Sequence, residues 1–285
     1  MTTTELLQTL LNGLMLASIY ILIASGFTLI YGIMHIVNFA HGEIYMLGSF
    51  AIYYFSTQYG LNYFLALVLA MLLIGVLGII LERALFLPLQ AAHLPQVILS
   101  LGLAMTLQGF ASVAFGTDDK SVTGPFTGVI RFGGAAISME RLIIIPISLA
   151  IIAGLFAFVK WTSTGQAMRA VAQDPEAAAL QGISVAFISC LAFGVGSALA
   201  AASGALIAPV FFISPFMGGL AVMKAFIIIC IGGVGSISGA AVGGLILGFV
   251  DSFGATLFGG SVAHVLGFSI LILILLYRPQ GLFGR

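Results

Sequence analysis

Apolar residues form eight long segments along the chain, and short polar intervals separate them. The segments cover roughly residues 6–32, 43–57, 62–86, 95–115, 142–160, 184–208, 223–250 and 262–277. Windows of this length and apolarity are typical of helices that cross a lipid bilayer. The pattern predicts an all-α fold, a polytopic transmembrane helical bundle that forms a single domain over residues 1–285 and has membrane lipid as its solvent.

Composition supports a membrane protein, since 61% of the residues are hydrophobic and only 6% are charged. The spans use most of the chain, so we expect no soluble domain and no ATP-binding domain. Nine Lys and Arg balance nine Asp and Glu, which leaves no charge surplus to attract nucleic acid. Cys190 and Cys230 lie within apolar segments without metal-ligand spacing, and we interpret both as small buried hydrophobes.

Catalytic motifs are missing from the sequence. It has no G-x-x-x-x-G-K-[ST] nucleotide loop, no H-E-x-x-H zinc helix and no G-x-S-x-G elbow. We therefore expect no enzyme and no cofactor.

The polar interval 116–141 contains a β-hairpin pattern. Two short runs, 128–132 and 135–139, flank Gly133-Gly134, a pair that can take the positive φ angles of a tight turn. The edges of a two-stranded ribbon need water or protein partners, so this loop is expected outside the hydrocarbon.

The polar interval 161–183 predicts two short helices joined at a sharp corner. Ser163 or Thr164 can cap the first helix, Asp174 caps the second with Pro175 at its first position, and Gly182 ends it. The pair is rich in alanine and too polar to span a membrane. From the residues alone, two interpretations stay open: an ordinary structured loop, or a helix pair that docks into a groove of another protein.

A third polar stretch, NFAHGE at 38–43, lies between the first two apolar segments. His35, Asn38 and His41 recur at steps of three and would share one helix face, whereas Glu43 would point elsewhere. A solvated turn, a metal site and a break between half-helices that lines a polar passage all remain possible. Metal is the weakest of the three, because His41 and Glu43 do not converge on a regular helix and further ligands are not evident. We therefore expect no metal site.

Four ordered motifs resemble one family of membrane proteins. TGQAMRAVAQDPEAAALQGI contains the EAA-x-x-x-G core at 176–182, and NFAHGE stands at 38–43, GGVGSISGA at 232–240 and YRPQGLFG at 277–284. Together they resemble the branched-chain amino acid permeases of ATP-binding-cassette (ABC) importers. The I-x-L-P ending found in many other importers is missing after Gly182, which argues against the maltose-type branch.

The resemblance implies that 161–183 is a cytoplasmic coupling region, which would fit a cleft in a separate ATPase subunit. It also implies that 38–43 shapes the translocation path or its gate, and that the hairpin loop 116–141 is periplasmic. The implied coupling residues are Gly165, Arg169, Asp174, Glu176, Ala177, Ala178 and Gly182. The implied pathway residues are Asn38, His41, Glu43, Gly232, Gly233 and Gly235.

Partners follow from the same resemblance. It implies a second homologous permease subunit, two cytoplasmic ATP-binding subunits, a periplasmic solute-binding protein and an amino-acid substrate, at the bacterial inner membrane. The alternatives are a related ABC permease for urea or short amides, and a stand-alone channel or secondary transporter.

The orientation of the last segments presents a conflict. If the final three all cross, Arg278 and Arg285 end opposite the coupling region, against the positive-inside tendency. We therefore expect one late segment to be re-entrant. The best candidate is 223–250, with a half-membrane turn at 232–236, although helix packing alone also explains its glycines at steps of four.

Overall fold

The computed structural model describes residues 2–90, 93–126, 128–132 and 135–283. Its helices are α1 (Thr3–Met34), α2 (His41–Ile52), α3 (Tyr63–Leu81), α4 (His93–Phe115), α5 (Met139–Trp161), α6 (Ser163–Gln173), α7 (Pro175–Leu180), α8 (Val185–Ile207), α9 (Met217–Gly232), α10 (Ile237–Phe258) and α11 (Gly260–Tyr277). Its strands are β1 (Val129–Phe132) and β2 (Ala135–Ser138). π-Helical turns continue α2 over Tyr53–Gln58 and α3 over Glu82–Phe86, and a 3-10 turn follows at Leu87–Leu89.

Seven helices among the described residues are long and apolar enough to cross a membrane. They are α1, α3 with its continuation, α4, α5, α8, α10 and α11, while α9 is apolar but has only 16 residues. The predicted all-α polytopic bundle is confirmed.

α1 and α8 form the centre of the bundle. The most apolar windows of these helices are 83% and 61% buried, against 17–22% for α4, α5 and α11 at the periphery. Small residues let the central backbones approach closely, because a Cβ on Gly196 would lie only 2.8 Å from the carbonyl oxygen of Gly26. Gly204 faces the backbone of Tyr45 in the same way. The small residues on α8 therefore serve helix packing.

The hairpin is present where the sequence predicts it. β1 and β2 pair antiparallel, with Val129 opposite Ser138, whereas the predicted turn residues Gly133 and Gly134 lie outside the described residues. Gln8 Nε2 donates to the carbonyl oxygen of Ala136 at 3.3 Å, so the hairpin covers the start of α1. We call this end of the bundle, with the connection 208–216, the hairpin end, and the opposite end, with α6 and α7, the corner end.

The apolar segment 223–250 is not one crossing. It folds into α9 and α10, an antiparallel pair that reverses at 233–236, where Gly233 and Gly235 have φ of +100° and +82°. The predicted reversal is confirmed, but its half-membrane depth is wrong. Gly235 borders the same cavity as Gly32 near the end of α1 and Met168 of α6, so the turn lies at the corner end.

This reversal resolves the orientation conflict. α11 runs back toward the corner end, and the backbone N–H groups of Leu282 and Phe283 donate to the carbonyl oxygens of Ile231 and Gly232 at 2.9 Å. Arg278 therefore lies at the same end as α6 and α7.

Candidate functional site

α2 begins beside the middle of α1 instead of continuing from its end. α1 stops at Met34 with His35 in a left-handed conformation (φ 56°), and His41 Nε2 lies 3.2 Å from the carbonyl oxygen of Ile23. Since Ile23 precedes Met34 by eleven residues, the connection 35–40 runs back along α1 by about 16 Å. The structure therefore contains a break between two helices at the predicted position.

Residues 38–43 are buried except for the half-buried Phe39, so this stretch is not a solvated turn. Asn38 and His41 are 1% and 0% exposed, whereas His35 is exposed. The prediction that His35, Asn38 and His41 share a helix face is wrong, because residues 35–40 are not helical. The left-handed residue at 35 ends the helix before that spacing can act.

Three polar atoms in this stretch have no hydrogen-bond partner among the described residues. They are Asn38 Nδ2, His41 Nδ1 and Glu43 Oε2. Asn38 Oδ1 accepts from the N–H of Ala40 at 3.1 Å, which fixes the start of α2. Buried polar groups normally find partners, so these free positions suit water or a polar solute.

The starts of α2 and α9 meet at this point. Gly42 packs against the backbone of Gly218, and a Cβ on Gly218 would lie 2.6 Å from the carboxylate of Glu43. Both positions need glycine for this close approach. An apolar cavity of about 280 Å³, lined in part by Phe27, Phe39 and Phe226, adjoins the break. The break thus joins two helix N-termini, unpaired polar atoms and an apolar space.

The predicted glycines lie elsewhere. Gly232 packs against Gly239 across the α9–α10 turn, and Gly233 and Gly235 form that turn at the corner end. They are separated from the 38–43 break along most of the length of α9. The structure therefore does not bring the six predicted pathway residues into one site.

At the corner formed by α6 and α7, α7 is capped and ended by the predicted residues. Asp174 Oδ1 accepts from the N–H groups of Glu176 and Ala177 at 3.0 and 2.9 Å, and Pro175 is the first residue of α7. Gly182 has φ +83° and ends α7, because its N–H and that of Ile183 donate to the carbonyl oxygens of Ala179 and Ala178. The capping prediction for α6 is wrong: Thr162, not Ser163 or Thr164, accepts from the N–H of Gly165 at 3.0 Å.

The corner is joined tightly to the bundle. Gly165 packs directly on the backbone of Phe158 and Val159 at the end of α5. Arg169 Nη1 donates to the carbonyl oxygen of Lys160 at 3.5 Å and borders a cavity of about 90 Å³ that also touches Gly32 and Gly235. Movement of α6 would therefore reach α1, α5 and the α9–α10 turn together.

One predicted contact residue faces the wrong way. Ala178 is only 4% exposed, so it packs within this chain and cannot form an outer surface. Glu176, Ala177 and Leu180 are exposed, Leu180 by 87%. The exposed side of α7 thus includes Ala177, Ala179 and Leu180, with Glu176 in its first turn.

The sequence reasoning missed a buried charge cluster. Lys224 Nζ contacts both carboxylate oxygens of Asp251 at 2.8 and 2.6 Å, and the Tyr20 hydroxyl donates to Asp251 at 2.7 Å. The cluster ties α9 to α10 and α1. The sequence did contain a signal for this cluster, because Lys224 and Asp251 stand at the two ends of the apolar segment 223–250. Ionisable residues within membranes usually pair with one another.

Comparison with known proteins decides the family. The family model described as "Branched-chain amino acid transport system / permease component" matches residues 9–277. The chain belongs to this family. It is a permease, a multi-pass protein of the bacterial inner membrane and the transport subunit of an ABC importer.

Two curated relatives cover nearly the whole permease. The high-affinity branched-chain amino acid transport system permease protein BraD of Pseudomonas aeruginosa is 36% identical over 98% of this chain and 96% of its own length. The protein of the same description named LivH, from Escherichia coli (strain K12), is 35% identical with the same coverage. The solved structure "PsaBC from Streptococcus pneumoniae in complex with Fab" superposes with a TM-score of 0.51 at 15% identity over 96% of this chain and 94% of that one, which shows a shared fold.

Proposed function

We propose that the permease carries branched-chain amino acids inward, as one unit of an importer with a second homologous permease, two cytoplasmic ATP-binding subunits and a periplasmic solute-binding protein. The names of BraD and LivH support the solute class. ATP hydrolysis belongs to the separate subunits, because this sequence has no nucleotide-binding loop.

The α6–α7 corner carries this proposal. The exposed face of α7 includes Glu176, Ala177 and Leu180. The small side chain of Ala177 lets a partner protein approach closely, and Leu180 offers that partner a large apolar side chain. Asp174 and Gly182 fix the ends of α7, so the face is presented in one orientation. A channel or a secondary transporter has no use for such a docking helix. The corner end is accordingly cytoplasmic, and the hairpin end faces the periplasm and the binding protein.

Coupling follows from the attachments of α6. Arg169 and Gly165 link it to the end of α5, and the shared cavity links it to Gly32 and Gly235. Closure of the ATP-binding subunits would displace α6 and α7 as a unit. The displacement would reach α1 and α9, the two helices that border the 38–43 break.

The passage runs past the 38–43 break. Asn38 and His41 supply hydrogen-bonding groups with free positions, and Glu43 adds a carboxylate beside the start of α9. Half-helix ends at depth are where transporters place solute contacts. The α9–α10 turn with Gly232, Gly233 and Gly235 forms the inner end of the same pathway.

The test reconstitutes the permease with its ATP-binding subunits and binding protein in liposomes and measures uptake of labelled leucine, isoleucine and valine. Uptake should require ATP and the binding protein. Asn38→Leu and His41→Leu should abolish it while the ATP-binding subunits still co-purify, and Ser25→Ala, which removes another unpaired buried hydroxyl, should not. If the permease took up urea or acetamide in preference to these amino acids, the proposed solute class would be wrong. If uptake occurred without ATP, the protein would be a channel or a secondary transporter instead of an importer subunit.

A further inference from the structure

A cavity of about 230 Å³ opens at the hairpin end between α1, α10 and the start of α5. Asn12, Arg141 and Ser252 give it a polar side, and Met15, Leu16 and Phe211 give it an apolar side. One water needs about 10–15 Å³ of such space, so the cavity has room for a small solute. The cavity therefore has the size and the two-sided character of a small amphipathic solute.

Arg141 is placed where its own helix disfavours a cation. It is the third residue of α5, next to the positive end of the helix dipole. Its Nη1 donates to the neutral Asn12 Oδ1 at 2.9 Å. Within residues 2–90, 93–126, 128–132 and 135–283 the one side-chain ion pair is Lys224–Asp251, so no carboxylate of these residues forms an ion pair with Arg141.

This arrangement leaves a positioned guanidinium with unused donors. A guanidinium has five N–H donors in a planar fork that matches a carboxylate, and Asn12 engages only one nitrogen. Asn12 fixes the side chain without cancelling its charge. Ser252 also stays in place, because its hydroxyl donates to the carbonyl oxygen of Thr9 at 2.7 Å.

We propose that this cavity is an entry subsite for the solute, in which the α-carboxylate of an amino acid pairs with Arg141 and its aliphatic side chain lies against Met15, Leu16 and Phe211. The inference rests on the proposed function, since it assigns the solute's first contact on the periplasmic side. A protein loop is a poorer occupant than a small molecule, because the charge and its amide partner line a cavity of limited volume.

The charge of the cavity can be measured with a cysteine probe. Ala255 lines the cavity and is exposed, so Ala255→Cys in the assembled importer, with Cys190 and Cys230 changed to alanine, can be labelled by anionic and cationic methanethiosulfonate reagents. The anionic reagent should react faster, and Arg141→Gln should lower the anionic-to-cationic rate ratio on the order of tenfold. Arg141→Lys should restore part of it. Tyr59→Cys, 71% exposed just after the π-helical turn Tyr53–Gln58, is the matched control and should not respond to Arg141.

The ligand arm uses L-leucine and L-leucinamide, which differ in the carboxylate. Leucine should slow labelling of the Ala255→Cys variant, and leucinamide should not slow it. The slowing by leucine should disappear when Arg141→Gln is added. If anionic lipid in the vesicle slowed labelling and leucine did not, the cavity would bind a lipid headgroup and the proposed entry subsite would be wrong.

Transport separates this inference from the proposed function. Arg141→Gln should reduce leucine uptake on the order of tenfold, with co-purification of the ATP-binding subunits and affinity for the binding protein unchanged. Wild-type protein that fails to take up leucine contradicts the proposed function. Wild-type uptake matched by Arg141→Gln, or a lower affinity of that variant for the binding protein, overturns only the subsite.

Discussion

At the residue scale, the Lys224–Asp251–Tyr20 cluster joins α9 to α10 and α1. Both charges are almost fully buried, and an unpaired charge in such a place costs far more than a paired one. The pairing of Lys224 with Asp251 could not be predicted from the sequence, because 27 positions separate the two residues. The turn between α9 and α10 sets which of their residues face each other. The contact is a property of the reversal and could be predicted only after it.

Removing one partner should therefore be worse than removing both. Asp251→Leu leaves Lys224 buried without a counter-ion, and we expect a loss of about 3–5 kcal/mol in stability. Lys224→Met combined with Asp251→Leu should recover most of it, since an apolar pair often replaces a buried ion pair at little cost. Tyr20→Phe should lose about 1.5–3 kcal/mol, the range for a hydrogen bond to a charged group. Thermal unfolding of the purified permease measures all three, and equal losses in the single and double variants would contradict the pairing.

At the element scale, the corner end shows what local chemistry can specify. Asp174, Pro175 and Gly182 predict the bounds of α7 because caps act within a few residues. The inward face of Ala178 could not be predicted in the same way. A six-residue helix with three alanines has no apolar stripe to indicate which side the bundle covers.

The break before α2 has the same limit. The sequence places polar residues there, but the left-handed His35 and the return along α1 depend on how α2 packs against α8 and α9. The spacing of three between His35, Asn38 and His41 would place them on one face only if α1 continued through them, but α1 ends at Met34. Local pattern located the site, and tertiary packing gave it its shape.

Substitutions on α7 should separate docking from folding. Ala177→Trp adds bulk on the exposed side, so it should abolish co-purification of the ATP-binding subunits while permease abundance stays normal. Ala178→Trp should lower abundance as well, because its side chain is buried. Asp174→Ala should weaken both uptake and co-purification only moderately, since losing the cap costs about 0.5–2 kcal/mol. Full co-purification with Ala177→Trp would remove α7 from the coupling interface.

At the scale of the whole molecule, the sequence predicts the fold class and a late reversal, but hydropathy alone treats residues 223–250 as one segment. Hydropathy stays high through the α9–α10 reversal, because Gly233, Val234 and Gly235 are not polar enough to interrupt an apolar segment. The two positive φ angles there make the turn, and hydropathy does not register backbone conformation. The conflict with the positive-inside tendency and the Gly232-Gly233 pair were the two sequence signals of this reversal.

The reversal predicts which positions share a side of the membrane. Val234 is 44% exposed in the turn, and Leu180 is exposed on α7, so cysteines at both should react with a membrane-impermeant reagent only from the cytoplasmic side. Phe212 is 68% exposed in the connection 208–216, which pairs with residue 120 of the hairpin loop, so its cysteine should react only from the periplasmic side. A single crossing over 223–250 would bury Val234 in the bilayer and leave its cysteine unreactive from either side. Labelling of Val234→Cys together with Phe212→Cys from outside would reject the antiparallel α9–α10 pair, and with it the link between the coupling corner and the pathway through Gly235.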